Sequence, residues 1–261
     1  MKTAVIQLNA GPDKEKNIAK AVFFVEKAAV KQAGFICLPE AFCYRGPTNT
    51  KAFFGDIAET LSGDTVTFFS KIAKEKKIAV LLGSIYEKSK QKNRVYNTSV
   101  LINSQGKVVA KYRKRNLFHA KIGKTKIQES DIFLAGKTSS VAMVRGWKVG
   151  LSVCYDLRFP QMYQDYAKKG CQVLTVPSSF THKTGQAHWE VLLRARAIEN
   201  KCYVVAPNQV GKDGSGVVSY GNSMIVSPWG KVLARASEKK EQIIYAEIKK
   251  EEIKIARKIL P

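Results

Sequence analysis

The chain has 261 residues, 45% of them hydrophobic, and its 44 Lys and Arg against 21 Asp and Glu give a formal net charge of +23. That hydrophobic share suits a globular protein with a sizeable core, and the length alone leaves one large α/β domain or two smaller ones open. No apolar run reaches the length of a membrane-spanning helix, and the opening MKTAVIQLNAG lacks the apolar core and cleavage site of a secretory signal.

Taken in order, Thr3 to Asn9 alternates and reads as a strand. Asp13 is placed to cap a helix running to about Gln32, with Ile18, Val22, Val25 and Ala29 near helical spacing and Gly34 as its stop. Phe35 to Leu38 reads as a buried strand closed by Pro39 and Glu40, and Asp64 as the cap of a helix to about Lys77. Ile78 to Tyr86 is a further buried strand, and Val95 to Ile102 turns through Ser104-Gln105-Gly106 into Lys107 to Arg113 as a hairpin. Lys121 to Lys137 is polar and irregular, which predicts a loop. Ser140 to Val144 and Lys148 to Val153 read as a strand pair, followed by a helix from about Gln161 to Lys169 and a strand from Cys171 to Val176. Thr184 to Asn200 predicts a strong helix and Cys202 to Ala206 a strand. Tyr220 to Val226, Val232 to Ala236 and Ile243 to Ile248 are late strands, with Glu251 to Lys258 a final short helix. Helices and strands alternate and hairpins interrupt them, the pattern of a mixed sheet or two sheets covered by helices. Without a linker, low-complexity tract or repeat, residues 1–261 read as a single domain.

The five cysteines are odd in number and form no CxxC, and the three histidines show no ligand spacing. Neither a disulfide framework nor a metal centre is expected, and a reducing, cytoplasmic setting fits best. The positive charge suits an anionic substrate or polyanion partner. However, the lysines are spread along the chain with no nucleic-acid-binding pattern beside them, which favours a solvated basic surface over a nucleic-acid partner. Three predicted strands end on reactive groups: Glu40, Lys114 and Cys154. Cys154 alone reads equally as a small core residue or as a nucleophile at a strand-to-turn junction, where the N–H of the following Tyr155 is free to meet an oxyanion. A thiol needs a base near neutral pH. With no histidine at a strand end, a carboxylate is the candidate base and a lysine the candidate cation.

The segments LPEAF, YRKRNLF, VCYDLRFP and THKTGQAHWEVLLRARAIEN resemble, in order, the nitrilase superfamily of carbon–nitrogen hydrolases, and YGNSMIVSPWGKVLARAS continues the likeness almost to the end of the chain. The resemblance implies an α/β fold, a four-layer α-β-β-α sandwich, usually a homodimer, with no cofactor. It implies Glu40 as general base, Lys114 as oxyanion-stabilising cation, Cys154 as nucleophile and Glu129 as a second glutamate beside the lysine. Tyr155-Asp156 after the nucleophile is similar to the amidase branches rather than to true nitrilases. RFP with AHWEVLLRARAIE is similar to the deaminated glutathione amidases, with the ω-amidases as neighbours. Both act on amides that carry a keto acid, and Arg158, Phe180 and Thr184 match positions lining the site for the carboxylate end. For Arg158 an ion pair with a neighbour such as Asp156 is the alternative. Two residues depart from the family pattern, and both are expected beside the rim of the site. Asn116 stands where a histidine is usual, and His119 where an aspartate is usual.

Overall fold

The computed structural model describes residues 1–122 and 125–260. Period-2 alternation shapes the first half: β1 (Lys2–Gln7) turns Ala4 and Ile6 to one core and Val5 to another. After α1 (Lys14–Val30), whose Asp13 cap accepts the N–H of Lys16, β2 (Phe35–Cys37) repeats the division. Phe35 and Cys37 face one core and Ile36 the other. Next come α2 (Asp64–Glu75), β3 (Ala79–Lys88), β4 (Val95–Ile102) and β5 (Val108–Arg113). With β16 (Gln242–Glu247) these strands form a six-stranded sheet in the order β16-β1-β2-β3-β4-β5. The β1, β2 and β3 trio is parallel and its flanks are antiparallel.

The second half builds a matching sheet. It uses β8 (Val141–Val144), β9 (Trp147–Leu151), β10 (Val173–Thr175), β11 (Tyr203–Ala206), β14 (Met224–Val226) and β15 (Val232–Arg235). Their order is β15-β14-β11-β10-β9-β8, again with a parallel centre of β9, β10 and β11. One core joins α1 and α2 to the first sheet, and the other fills the space between the sheets and beneath α3 (Pro160–Lys168) and α4 (His182–Asn200). The result is the expected four-layer α-β-β-α sandwich, with both faces of each sheet covered. Strands buried on both faces read as continuous apolar runs, which is why FICL and WKVGLSV stand out in the sequence. α5 (Lys250–Ile259) follows, buries Ile253 and Ala256, and seats Ile253 in that second core.

Three sequence expectations are corrected. Asp64 does not cap α2: the cap position is Gly63, and the Thr65 N–H is taken by Glu59 Oε2 at 2.9 Å, a partner that local spacing does not reveal. The loop expected over Lys121 to Lys137 contains a hairpin, β6 (His119–Ile122) paired with β7 (Thr125–Gln128), and then a 3-10 turn, Glu129–Asp131. Its strands are four residues each: Ala120 and Ile122 alternate with His119 and Lys121, but Thr125–Gln128 has one apolar residue, Ile127, too little alternation to read; Gly123 and Lys124 lie outside the described residues. The strand expected from Tyr220 to Val226 is split into β13 (Val218–Tyr220), which pairs with β12 (Val210–Lys212), and β14. Gly221 and Asn222 both adopt left-handed φ, +66° and +53°, and successive left-handed residues end a strand.

Candidate active site

Glu40 follows β2 and is held from several sides. A side chain at Gly83, on β3, would run into the carbonyl oxygens of Leu38 and Pro39, so glycine there allows the close backbone approach beneath the strand end. Gln209 Nε2 donates to the Glu40 carbonyl at 2.8 Å, and the Ala41 N–H donates to Ser84 Oγ at 2.8 Å. Lys114 leaves β5 with its own N–H on the Asn97 carbonyl, 2.8 Å away. Its side chain is 1% exposed, and Nζ donates to Glu40 Oε1 at 3.0 Å and to Glu129 Oε1 at 2.9 Å. A buried ammonium is tolerable only when paired and hydrogen-bonded, and two carboxylates supply that here. Glu129 Oε2 also accepts the Phe118 N–H at 2.8 Å, so Glu129 ties the pocket wall at Phe118 to the lysine.

Cys154 lies beyond β9 on the opposite sheet and is the first residue of the turn that follows the strand, a 3-10 turn, Cys154–Arg158. Its φ of +49° is left-handed, a strained backbone for a residue with a side chain, and its N–H donates to the Pro177 carbonyl at 2.9 Å. The Tyr155 N–H falls in the first turn, where a helix has no internal acceptor for it, and no described residue accepts it. Glu40, Glu129, Cys154, Tyr155, Arg158 and Phe180 share one pocket of about 240 Å³.

The electrostatics follow from burial and pairing. Burial, and then the Glu40 charge, push the Cys154 thiol well above its usual range, with Lys114 opposing them. Burial pushes Glu40 up as well, but Lys114 and hydrogen bonding with the Cys154 thiol outweigh it and hold Glu40 below the usual carboxylate range. Burial lowers Lys114, yet Glu129 and Glu40 together hold it well above the usual lysine value. Burial raises Glu129, with Lys114 countering and Glu40 adding to the rise. The site therefore holds a protonated thiol, a fixed ammonium and an ionised Glu40.

Arg158 lies in the pocket without the ion pair to Asp156. Both Asp156 oxygens are already taken: Oδ2 by the Tyr112 hydroxyl at 2.8 Å and the Val153 N–H at 2.9 Å, Oδ1 by the Asn116 N–H at 3.0 Å and Nδ2 at 2.8 Å. The Arg158 guanidinium instead sits over the Phe180 and Tyr155 rings, with His188 Nδ1 3.3 Å from its Nη2. Thr184 Oγ1 meets Thr181 Oγ1 at 2.9 Å on the same wall, at the start of α4. Asn116 and His119, expected at the rim, do not line the pocket: Asn116 is turned to Asp156, and His119 is exposed on β6. Sequence reasoning missed Asn97, whose Nδ2 donates to Glu40 Oε1 at 2.8 Å. An asparagine inside a β-branched strand was the available signal. It also missed the Arg45–Asp213 ion pair in the pocket wall, which no local pattern announces.

The carbon–nitrogen hydrolase family profile matches residues 2–258. The chain belongs to the carbon–nitrogen hydrolase family. Among relatives of this hydrolase, the deaminated glutathione amidase of Mus musculus is 42% identical over 242 residues, which is 90% of this chain and 74% of that protein. The omega-amidase NIT2 of Homo sapiens is 38% identical over 259 residues, 99% of this chain and 92% of that protein. In structure, the C. elegans NitFhit protein superposes with a TM-score of 0.91 at 36% identity over all of this hydrolase, which spans 63% of that chain. No helix among the described residues is long and apolar enough to cross a membrane.

Proposed function

We propose that this carbon–nitrogen hydrolase is a cysteine amidase in which Cys154 attacks the amide carbonyl. The observation that carries this reading is the buried Lys114 Nζ, held at 3.0 Å by Glu40 and at 2.9 Å by Glu129, two carboxylates that line the same pocket as Cys154. Because the thiol is pushed up, it needs a base at the moment of attack, and Glu40 takes its proton. Sulfur bonds to the carbonyl carbon, and the oxygen gains negative charge beside Lys114 and the Tyr155 N–H. Glu40 returns the proton to the nitrogen, the C–N bond breaks and a thioester remains. A water that gives its proton to Glu40 hydrolyses the thioester, frees the acid and restores the thiol. Glu129 keeps the lysine in place and charged.

For the substrate, a keto-acid amide with a free carboxylate fits best. Among the described residues no carboxylate pairs with Arg158, whose guanidinium meets His188 and the Phe180 and Tyr155 rings, and a guanidinium binds a carboxylate through two parallel bonds; Phe180 and Thr184 complete that wall. Likeness to the mouse relative favours deaminated glutathione, and likeness to the human one makes α-ketoglutaramate the second reading. The leaving group is an amine from the first and ammonia from the second, and both give the same keto acid. A homodimer, a cytoplasmic setting and one catalytic unit over residues 1–261 complete the proposal.

The test is intact-mass measurement during turnover, with keto-acid release as the assay. Wild-type enzyme is expected to carry an acyl adduct on Cys154, while Cys154→Ala folds but neither acylates nor releases product. Turnover by the alanine variant, or equal rates on neutral amides, would show the reading to be wrong.

A further inference from the structure

Asn97 stands within β4 and is 3% exposed. Its Nδ2 donates to Glu40 Oε1 at 2.8 Å, and its main-chain carbonyl accepts the Lys114 N–H at 2.8 Å. One residue thus fastens both the carboxylate and the strand end from which the lysine departs. Lys114 Nζ reaches the same Oε1 at 3.0 Å. Both nitrogen donors therefore fall on Oε1 of Glu40, and the Cys154 thiol is a further hydrogen-bonding neighbour of the carboxylate.

The other end of the Asn97 amide makes the point sharper. Asn97 Oδ1 is buried and accepts no hydrogen bond from any described residue. Rotating the amide would set that oxygen against Glu40, acceptor against acceptor, so the carboxylate dictates the orientation. An orphaned buried acceptor costs stability, and such breaches of polar satisfaction concentrate where function requires them.

We propose that Asn97 is a positioning residue for amide hydrolysis, its Nδ2–H fixing the Glu40 carboxylate against the Cys154 sulfur. The inference rests on the reading of Glu40 as base and Cys154 as nucleophile. Donation to a carboxylate favours its ionised form, so losing the amide moves the titration of Glu40 upward. It also frees the carboxylate to turn away from sulfur, which slows chemistry more than it weakens binding, although Asn97 itself borders the pocket.

The experiment compares wild type with Asn97→Leu and Asn97→Ala. Leucine keeps the shape, loses the donor and removes the orphaned acceptor, so the fold is expected to hold. On α-ketoglutaramate, kcat is expected to fall about 10- to 100-fold with KM within about twofold. The acid limb of kcat/KM is expected to move up by roughly half a pH unit or more. The pH dependence of Cys154 alkylation by iodoacetamide, read by mass, should shift the same way. A leucine variant with wild-type kcat, or a loss confined to KM with the acid limb in place, overturns the positioning role alone. Wild-type enzyme that keeps its activity after Cys154 is alkylated overturns the nucleophile reading and this inference with it.

Discussion

Asn116 and Asp156 join the segment that carries Lys114 to the turn that carries Cys154: Asn116 gives both its N–H, at 3.0 Å, and its Nδ2, at 2.8 Å, to one oxygen of Asp156. The other oxygen takes the Tyr112 hydroxyl and the Val153 N–H, so a fully buried carboxylate is satisfied at four points. Replacing Asp156 with alanine strands those donors. Asp156→Ala is expected to lose about 3 kcal/mol or more of stability and most of its activity, read by urea melts and steady-state rates. A variant as stable and active as wild type would mean that the junction is not a clamp.

Glu40→Gln and Lys114→Ala are each expected to lower kcat by several orders of magnitude. Groups that act as one unit fail together rather than additively, so the double variant should be little worse than either single one. Losses that multiply would assign the two residues to independent tasks.

Arg158→Lys tests the carboxylate end. A lysine keeps the charge but not the planar fork. KM for keto-acid amides is expected to rise roughly tenfold with kcat nearly unchanged, and the neutral amide analogue should be indifferent to the change. Equal KM shifts for charged and neutral amides would remove Arg158 from carboxylate recognition.

Acid sensitivity should come in part from Glu87. Burial pushes its carboxyl up, yet hydrogen bonds from Arg113 and Thr98 outweigh burial and hold it below the usual carboxylate range. A carboxylate whose folded pKa is depressed stabilises fully above its unfolded value, about 4.3, and loses that contribution as pH falls through the folded value. The stability gap between wild type and Glu87→Gln, measured by urea melts, should therefore be widest near neutrality and close below about pH 4. A gap that stays constant from neutral to acid pH would contradict this.

Strand ends were the legible part of this site. Glu40 and Cys154 each follow a run whose apolar content marks it as buried, Lys114 follows the second arm of a legible hairpin that is itself largely exposed, and the family likeness then implies their roles. What escaped was held by pairings remote in sequence. Arg45 and Asp213 stand 168 positions apart, and Gln209 is 169 positions from the Glu40 carbonyl it holds. The β6–β7 hairpin escaped for the opposite reason: its ladder is local, but its strands are four residues each and only His119–Ile122 alternates. The late strand broke at Gly221-Asn222, where a glycine beside an asparagine was a turn signal that the surrounding Tyr220 and Met224-Ile225-Val226 obscured.

The groups proposed to react come from different sheets. Glu40 and Lys114 extend strands of the first, Cys154 a strand of the second, and between them runs the apolar seam that holds the sandwich together. Proton transfer operates over a fraction of an ångström, so the seam serves as a gauge block for the chemistry. Sliding one sheet against the other would carry thiol and carboxylate out of reach while every strand kept its ladder. Catalysis is thus expected to be the most sensitive reporter of how the two sheets mate, and alanine in place of Val5 or Leu151, core residues that do not line the pocket, is expected to act on the reaction by changing that fit.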